Sequence, residues 1–274
     1  SCNPTLMQVA AIVGKERFYK YFEAFGYMSR TGIDLPGETA GIYNDYDSFT
    51  NVSLAVYSFG QTFKTTPIQQ LTAITTVAGG GYYKTPHLIK EILDSDGNVV
   101  KSFETDIKRQ VVSTEVCDEI AEVLEDGVSH DGGAKNAYVA GYRIAGKTGT
   151  AQKLTKKGDY VGAKHIASFV GFVPADNPIY AMIVMLDEPQ GKDFYYGGQV
   201  ASPVFRNTLQ QILAAKGVQP QVGDELKSLK EIMISLGSKD INKKIIYIKR
   251  DKNIKIYLWT GYEMKDLNSI EISI

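Results

Sequence analysis

The chain has 274 residues, of which 43 % are hydrophobic and 22 % charged, and its net charge at neutral pH is −1. This composition is typical of a globular protein, and the near-zero charge gives no reason to expect nucleic acid or an anionic membrane as a partner. No run of about eighteen apolar residues predicts a membrane span, and the two cysteines are too few for a disulfide framework.

Three helices are predicted in the first half of the chain. Apolar residues at helical spacing predict a helix over residues 5–25, with Gly26 as its C-terminal cap. A second helix is predicted over residues 67–77, which a run of three glycines follows, and a third over residues 114–124. These helices precede the strands that are predicted around the candidate site.

The second half of the chain predicts a sheet and a closing helix. Strands are predicted over residues 143–150, 167–172 and 179–186, and the last two are nearly continuous apolar runs. Such runs are expected in a sheet that is buried on both faces. An amphipathic pattern predicts a further helix over residues 204–216. Residues 1–216 therefore read as one large α/β (α+β) domain.

The composition changes after residue 216, which predicts a second, smaller α+β unit over residues 217–274. Its pattern predicts a helix over residues 225–236, which Gly237 ends. Runs rich in isoleucine and aromatic residues then predict strands over residues 245–248, 254–259 and 270–274. We expect this unit to be an appendage of the larger domain.

The most informative motif is Lys147-Thr148-Gly149, which Thr150 follows on a predicted strand. This Lys-Thr-Gly-Thr segment (residues 147–150) places a cation, hydroxyl groups and a backbone without a Cβ in one line. Such an arrangement suits the binding of an acyl donor with a free carboxylate. The triplet alone also fits a glycine turn at the end of a strand. A Ser-x-Asn motif at Ser1 and Asn3 precedes it in the chain and strengthens the functional interpretation.

With these two motifs, residues 1–215 resemble the class B penicillin-binding proteins. Longer strings support the resemblance and occur in the order of that family; they lie at residues 32–38, 59–61, 65–69, 171–175 and 197–205. Residues 133–138 are most similar to sporulation-specific or division-type members from Gram-positive spore formers. The resemblance implies a penicillin-binding/β-lactamase-like transpeptidase fold with a central, mostly antiparallel sheet flanked by helices.

The resemblance also implies a role for each matched residue. Ser1 would serve in a proton relay, and Asn3 would orient either the substrate side chain or the lysine of the family's nucleophile motif. Lys147 would hold protons and the substrate carboxylate by its charge. Thr148 and Thr150 would donate hydrogen bonds to that carboxylate, and Gly149 would let the acyl donor lie against the strand. The backbone N–H of Thr150 would be one oxyanion donor. An alternative for Ser1 or Asn3, compatible with catalysis, is a helix N-cap before Pro4.

The family's nucleophile is the serine of a Ser-x-x-Lys motif, and these 274 residues contain no such motif. We therefore expect the nucleophile on a segment upstream of Ser1. The resemblance further implies an N-terminal membrane anchor on that upstream part, a location at the extracytoplasmic face and a partner glycosyltransferase. Peptidoglycan stem peptides and β-lactams are the expected ligands, no cofactor is required, and no nucleic acid is expected.

A metal site is a separate hypothesis that departs from the family pattern. Cys2, His130, Asp131 and His165 fall in or beside the matched motifs, and their thiolate, imidazole and carboxylate groups form a zinc-type ligand set. Against it, Cys2 reads equally as a small packed side chain, His130 as a solvated loop residue and His165 as a strand histidine. The sequence also lacks a short zinc spacing such as Cys-x-x-Cys.

Two other functions stay open at this point. The chain could be a catalytically silent scaffold for wall synthesis, or a hydrolase that uses the amine of an N-terminal Ser1 as its base. The tail resembles a divergent PASTA module, although it lacks most of that module's proline and glycine signals, and a subdomain without a binding role fits as well. Gln61, Thr65 and Thr66 are expected to give structural support, and residues 187–189 and 195–198 to form the rim of the groove.

Overall fold

The computed structural model describes residues 2–129, 132–154, 160–190 and 195–220, together with the backbone of three strands farther along the chain. Two compact units result, Ser1–Gln221 and Val222–Ile274. The boundary expected from composition lies five residues earlier, at 216. No helix in the described residues is long and apolar enough to cross a membrane.

The first unit contains six α-helices among its described residues. They are α1 (Asn3–Val13), α2 (Lys15–Ala24), α3 (Asn51–Tyr57), α4 (Pro67–Ala78), α5 (Thr114–Val128) and α6 (Gly197–Ala215). The single helix predicted over residues 5–25 is wrong, because Gly14 adopts a φ of 80° and separates α1 from α2. Apolar spacing continues across this break, so the periodicity did not reveal it.

The strands form small antiparallel sheets. In chain order they are β1 (Tyr82–Lys84), β2 (Glu91–Leu93), β3 (Val99–Ser102), β4 (Ile107–Gln110), β5 (Ala145–Leu154), β6 (Tyr160–Val173), β7 (Tyr180–Asp187), β8 (Ile245–Arg250), β9 (Asn253–Trp259) and β10 (Met264–Asp266). β1 pairs with β4, and β2 with β3. The central sheet of the first unit has the order β5-β6-β7, with both pairs antiparallel, as expected.

Both faces of the central strand β6 are buried, which explains its apolar sequence. Phe169 and Val173 point to one face and pack with Phe205 and Leu209 of α6. Val170 and Phe172 belong to the other cluster, which helix α4 and residues of α5 complete. Each buried phenylalanine contributes roughly 2–3 kcal/mol by the loss of apolar surface from water. This two-sided packing fixes the sheet that carries the Lys-Thr-Gly-Thr segment.

A second core, rich in aromatic residues, lies around α1, α2 and α3. Phe18, Phe22, Phe49 and Tyr57 contact one another there through stacked, tilted and edge-on rings. Centroid separations of 5.0–6.2 Å are typical of aromatic pairs. The apolar residues that predicted one N-terminal helix therefore do pack in a core, but they are divided between α1 and α2.

The second unit contains the antiparallel sheet β10-β9-β8. Strands β8 and β9 occupy the runs predicted at residues 245–248 and 254–259, and β10 was not predicted. The predicted helix at residues 225–236 and the predicted strand at 270–274 lie outside the described residues. The assignment of this unit to a PASTA module stays a prediction.

Candidate active site

The Lys-Thr-Gly-Thr segment lies in the first half of β5. Among the described strands β5 is an edge of the central sheet, with β6 on one side only. Lys147 is opposite Val170, and Thr150 is opposite Ala167. One row of backbone groups of β5 thus bonds to β6, and the alternate row faces away from it. We call the side of β5 that faces away from β6 its outer edge.

Two carbonyl groups identify which residues of β5 face the outer edge. The Thr148 carbonyl accepts a hydrogen bond from Lys147 Nζ at 2.8 Å, and the Thr150 carbonyl accepts one from Gln61 Nε2 at 3.3 Å. In an antiparallel strand the N–H and the C=O of one residue point to the same side. The N–H groups of Thr148 and Thr150 therefore also face the outer edge. This places the expected oxyanion donor, the Thr150 N–H, where a ligand can reach it.

Lys147 combines an accessible position with an altered pKa. Its side chain is exposed to solvent, but the surrounding protein displaces part of the hydration of the ammonium group, and this desolvation lowers the pKa of Lys147. Besides the Thr148 carbonyl, Nζ lies 3.4 Å from Thr148 Oγ1. An ammonium group has three N–H donors, so at least one stays available for an anionic ligand.

The N-terminus of α6 sets the orientation of the Thr150 hydroxyl. The Gly197 N–H donates to Thr150 Oγ1 at 3.0 Å, so the hydroxyl already accepts one hydrogen bond and its own proton is left to donate elsewhere. The first turn of a helix also carries partial positive charge. Thr150 can therefore act as a hydrogen-bond donor to a carboxylate in the groove.

Gly197 allows α6 to lie directly against β5. A Cβ at Gly197 would stand 2.3 Å from the carbonyl oxygens of Gly149 and Ser168, so this position cannot hold a larger side chain without moving backbone. A Cβ at Gly149 would stand 2.5 Å from Ser168 Oγ, so a larger side chain there would displace the Ser168 hydroxyl. The expected contact of Gly149 with an acyl donor stays a prediction.

The loop before β5 holds the same end of α6. Asn136 Nδ2 donates to the Gly198 carbonyl at 2.7 Å, next to the 3-10 helix Lys135–Ala137. A Cβ at Gly198 would stand 3.4 Å from the Gly133 carbonyl and 3.5 Å from Thr148 Cγ2. Residues 133–138, which carried part of the family resemblance, thus fix the helix end that contacts Thr150.

A cluster of charged residues joins the far ends of the three strands. Lys153 of β5 contacts Asp187 at 2.9 Å and Glu188 at 2.7 Å, and Lys164 of β6 contacts Glu188 at 2.9 Å. Hydrogen bonds from Lys153 and Lys164 hold the pKa of Glu188 below its usual value. Asp187 and Glu188, which the sequence places on the groove rim, are therefore engaged in ion pairs between strands.

Tyr195 and Tyr196 lie just before α6, and their place on the rim of a groove stays a prediction. His165 stacks on Tyr195 with 4.3 Å between ring centroids, and the Tyr195 hydroxyl lies 2.9 Å from that of Tyr196. His165 was expected to begin the strand that lies beside Lys147. β6 is that strand, since Val170 is opposite Lys147, but it begins at Tyr160, and His165 is opposite Gln152, five pairs from Lys147. That separation is roughly 17 Å along the strand.

The Ser-x-Asn motif begins α1. Ser1 lies outside the described residues, and Asn3 is the first, exposed residue of the helix. The N-cap is Cys2, not Ser1 or Asn3, and Pro4 occupies the first turn, where its missing N–H costs nothing. The convergence of Ser1 and Asn3 on Lys147 stays a prediction.

The zinc hypothesis also stays a prediction, because His130 and Asp131 lie outside the described residues. Of the other two ligands, Cys2 is exposed and His165 is buried against Tyr195. Within the part of the chain that is described, no group of three or more His, Cys, Asp or Glu side chains could hold a metal ion. Elemental analysis, with the melting temperature of Cys2→Ser, would test the hypothesis directly.

Three features of the site were not predicted from the sequence. The Gln61 bond to the Thr150 carbonyl spans 89 positions in the chain, and Asn136 reaches Gly198 across 62 positions. Both residues stand in strings that resemble the family, which is the signal that could have marked them. The Gly197 N–H contact with Thr150 was the third feature, and a glycine pair that precedes a helical pattern was its signal.

Comparisons with known proteins agree with this geometry. Residues 1–210 match the model of the penicillin-binding protein transpeptidase domain. Stage V sporulation protein D of Bacillus subtilis is 41 % identical over 222 residues, which cover 81 % of this chain and 34 % of that protein. The peptidoglycan D,D-transpeptidase FtsI of Escherichia coli is 31 % identical, with 80 % of this chain and 35 % of that protein covered.

Solved structures give the same result. Penicillin-binding protein 3 of Mycobacterium tuberculosis, in complex with aztreonam, has a TM-score of 0.72 and 31 % identity over 80 % of this chain and 51 % of that one. The transpeptidase domain of penicillin-binding protein 3 from Burkholderia pseudomallei has a TM-score of 0.69 and 29 % identity, over 80 % and 62 % of the two chains. The chain spans about a third of the length of the curated relatives it matches. By fold, motifs and sequence, this chain belongs to the penicillin-binding protein transpeptidase family.

Proposed function

We propose that the chain supplies the carboxylate-binding and oxyanion-binding part of a serine-type peptidoglycan D,D-transpeptidase that β-lactams acylate. The observation that carries this proposal is the outer edge of β5. Lys147 and the Thr150 hydroxyl each have a hydrogen left to donate there. The Thr150 N–H faces the same side as the Thr150 carbonyl, which is the outer edge. An acyl donor that ends in a carboxylate needs donors for that carboxylate and for the oxyanion that forms during attack.

In this proposal the Lys-Thr-Gly-Thr segment binds the terminal carboxylate of a stem peptide. Lys147 neutralises the carboxylate, and the Thr148 and Thr150 hydroxyls donate to it. Thr148 Oγ1 lies within bonding distance of Lys147 Nζ and Thr150 Oγ1 accepts from Gly197, so both hydroxyl protons can point into the groove. The Thr150 N–H then lies beside the scissile carbonyl as an oxyanion donor.

The nucleophile in this proposal is the serine of a Ser-x-x-Lys motif on another segment of the longer protein. That serine attacks the carbonyl carbon, the bond to the leaving amine breaks, and the acyl-enzyme passes the acyl group to an acceptor amine. Ser1 relays the proton that the leaving amine takes up, and Asn3 orients the donor side chain. A membrane anchor, an extracytoplasmic location and a partner glycosyltransferase belong to the same proposal.

Labelling with a fluorescent penicillin tests this function. We expect no covalent label on the 274-residue chain alone and stoichiometric label on a protein that joins it to a Ser-x-x-Lys segment. Label on the isolated chain would contradict the assigned nucleophile and would favour Ser1. No label on the joined protein, with a folded circular dichroism spectrum, would contradict the enzyme assignment and favour a silent scaffold.

A further inference from the structure

The loop after α3 holds Gln61 in a defined direction. Gly60 and Thr62, on either side of it, have φ values of 83° and 68°, and a positive φ is unfavourable for a threonine. The Gln61 N–H donates to the Val56 carbonyl at 3.1 Å, which fixes the backbone between these two residues. The half-buried side chain then points at β5. A strained conformation kept beside a candidate site indicates a role for the residue it presents.

Gln61 donates to the Thr150 carbonyl, an acceptor that an extended ligand would also use. In an antiparallel pair, a residue that accepts from the Thr150 N–H through its carbonyl also donates its own N–H to the Thr150 carbonyl. An acyl donor that adds to the outer edge of β5 as a strand would make both bonds. Gln61 Nε2 already donates to that carbonyl from the outer edge of β5, the side from which a ligand N–H would approach. A carbonyl oxygen has two lone pairs, and the competition that we infer is for this one side of the group.

The contact is suited to exchange. Its length of 3.3 Å is beyond the usual range for an N–H to carbonyl hydrogen bond, and Gln61 is partly exposed. While the groove is empty, the contact satisfies the Thr150 carbonyl. When a ligand N–H replaces it, the side-chain amide can rotate away without a change in the loop backbone.

We propose that Gln61 is a specificity-determining residue that competes with the ligand for the Thr150 carbonyl. The competition sets how strongly the protein selects acyl donors that carry an amide N–H next to the reacting carbonyl. This inference rests on the proposed function. A donor with that N–H displaces Gln61, whereas a donor without it gains nothing at this carbonyl and leaves Gln61 in place.

The test compares two β-lactams on the protein that joins this chain to a Ser-x-x-Lys segment. One is benzylpenicillin, and the other is its analogue with an ester oxygen in place of the side-chain amide N–H. In Gln61→Met, which keeps the size of the side chain but cannot donate, the carbonyl is open to the ligand. We expect the ratio of the two acylation rate constants, amide over ester, to rise about threefold to tenfold relative to the unaltered protein.

Gln210→Ala, at an exposed position of α6, is the matched control and should leave the ratio unchanged. If Gln61 only supports the fold, Gln61→Met changes both rate constants by the same factor, and the unchanged ratio overturns the proposal. A lower ratio overturns it as well, because it would mean that Gln61 assists the amide ligand. Failure of the proposed function looks different, since the unaltered protein would then react with neither compound.

Discussion

Two regions of the molecule carry strings that resemble the same family, but they use their polar groups in opposite ways. At the outer edge of β5, Lys147 and Thr150 keep donors that no other group in the described part of the chain uses. Around the start of α4, in contrast, Gln69 is 1 % exposed and spends its whole amide on the fold. A motif string by itself therefore does not show whether its residues can bind a ligand or only hold the fold together. The hydrogen bonds that these residues already make within the protein distinguish the two cases.

Both polar atoms of the Gln69 side chain are hydrogen-bonded within the fold. Its Oε1 accepts from the Tyr43 hydroxyl at 3.1 Å and from the Thr66 N–H at 2.9 Å. Its Nε2 donates to the carbonyls of Ser29 at 2.7 Å and Ala40 at 3.0 Å. One side chain thus joins two separate segments of the chain, at Ser29 and at 40–43, to the N-terminus of α4. The support that was expected of Thr65 and Thr66 is exerted through this glutamine.

Glu38 and Asp34 extend the same pattern. Glu38 accepts hydrogen bonds from the N–H groups of Thr31 and Gly32 at 2.6 and 3.0 Å. Asp34 accepts from the N–H groups of Leu88 and Ile89 at 2.8 and 3.0 Å. Both acidic residues of the string at 32–38 therefore close loops through backbone N–H groups.

Replacement of Lys147 should lower the reactivity of the site without lowering the stability of the fold. In the joined protein we expect Lys147→Ala to lower the acylation rate constant by about 100-fold, because the ligand carboxylate loses its counter-charge. The free energy of unfolding should change by less than about 0.5 kcal/mol, as for other exposed side chains. Lys216→Ala, at the end of α6, is the control. A large loss of stability in Lys147→Ala would contradict the division between the two regions.

Gln69→Leu should give the reverse result. A leucine of similar size leaves the carbonyls of Ser29 and Ala40 and the donors of Tyr43 and Thr66 without partners. We expect a loss of about 3 kcal/mol in the free energy of unfolding, measured with urea on the full 274-residue chain. Gln210→Ala should change it by less than about 0.5 kcal/mol. Equal stabilities of the two variants would show that the network is not structural.

The free energy of unfolding at acidic pH should depend on the protonation of Glu38. Burial alone would raise the pKa of Glu38, but hydrogen bonds from Thr31 and Gly32 outweigh it and hold the pKa below its usual value. The folded chain then binds this proton less tightly than the unfolded chain. The stabilisation is complete above the ordinary glutamate pKa of about 4.3 and is lost as the pH falls through the lower, folded value.

Urea unfolding at about pH 6 and about pH 3.5 measures this effect. Glu38→Gln cannot titrate, so it should lose less stability than the unaltered chain between the two pH values. The exposed Glu119→Gln serves as a control for the general effect of acid. An identical loss in Glu38→Gln and the unaltered chain would mean that the carboxylate contributes nothing.

The smallest expected effect concerns Ser202, inside α6. Its Oγ is buried and, within the described residues, has no hydrogen-bond partner. Ser202→Ala should therefore stabilise the chain by about 1 kcal/mol. Ser58→Ala is the matched control, since the Ser58 hydroxyl donates to the Ala55 carbonyl at 2.6 Å and its loss should not stabilise. A lower urea midpoint for Ser202→Ala would indicate a partner for this hydroxyl.

The sequence predicted the elements that local periodicity defines and missed those that distant contacts define. Strands β5, β6 and β7 carry long apolar or motif-bearing runs, and all three were predicted. β7 is displaced by one residue and β5 by two to four, whereas β6 begins seven residues before the predicted start. The break at Gly14 was missed because a single glycine leaves the spacing of apolar residues intact. The predicted start of α6 lies seven residues after the observed one for a similar reason, since its first turn reads as a glycine-rich loop.

At the site, the identity of the Lys-Thr-Gly-Thr segment could be predicted, but its supports could not. The string that contains Gln61 marks the residue as part of the family pattern, but nothing in the local sequence shows that its partner is Thr150. The strand that His165 was expected to begin does lie beside Lys147, but its first residue is Tyr160. Strand periodicity gives the face of a residue and not its register against a neighbouring strand, so it could not give the distance of His165 from Lys147.

The carbonyls of Thr148 and Thr150 already accept hydrogen bonds from Lys147 and Gln61. These bonds affect which part of a peptide can bind to the outer edge of β5. A continuous strand needs donors and acceptors in alternation from its template, whereas a chain terminus presents a carboxylate with acceptors alone. The Thr148 carbonyl already accepts a hydrogen bond from Lys147 Nζ, so the cation lies beside that carbonyl. For the proposed function, this favours the end of a polypeptide, whose carboxylate the cation can bind, over the middle of one. A charge on an edge strand also opposes pairing with the strands of other proteins.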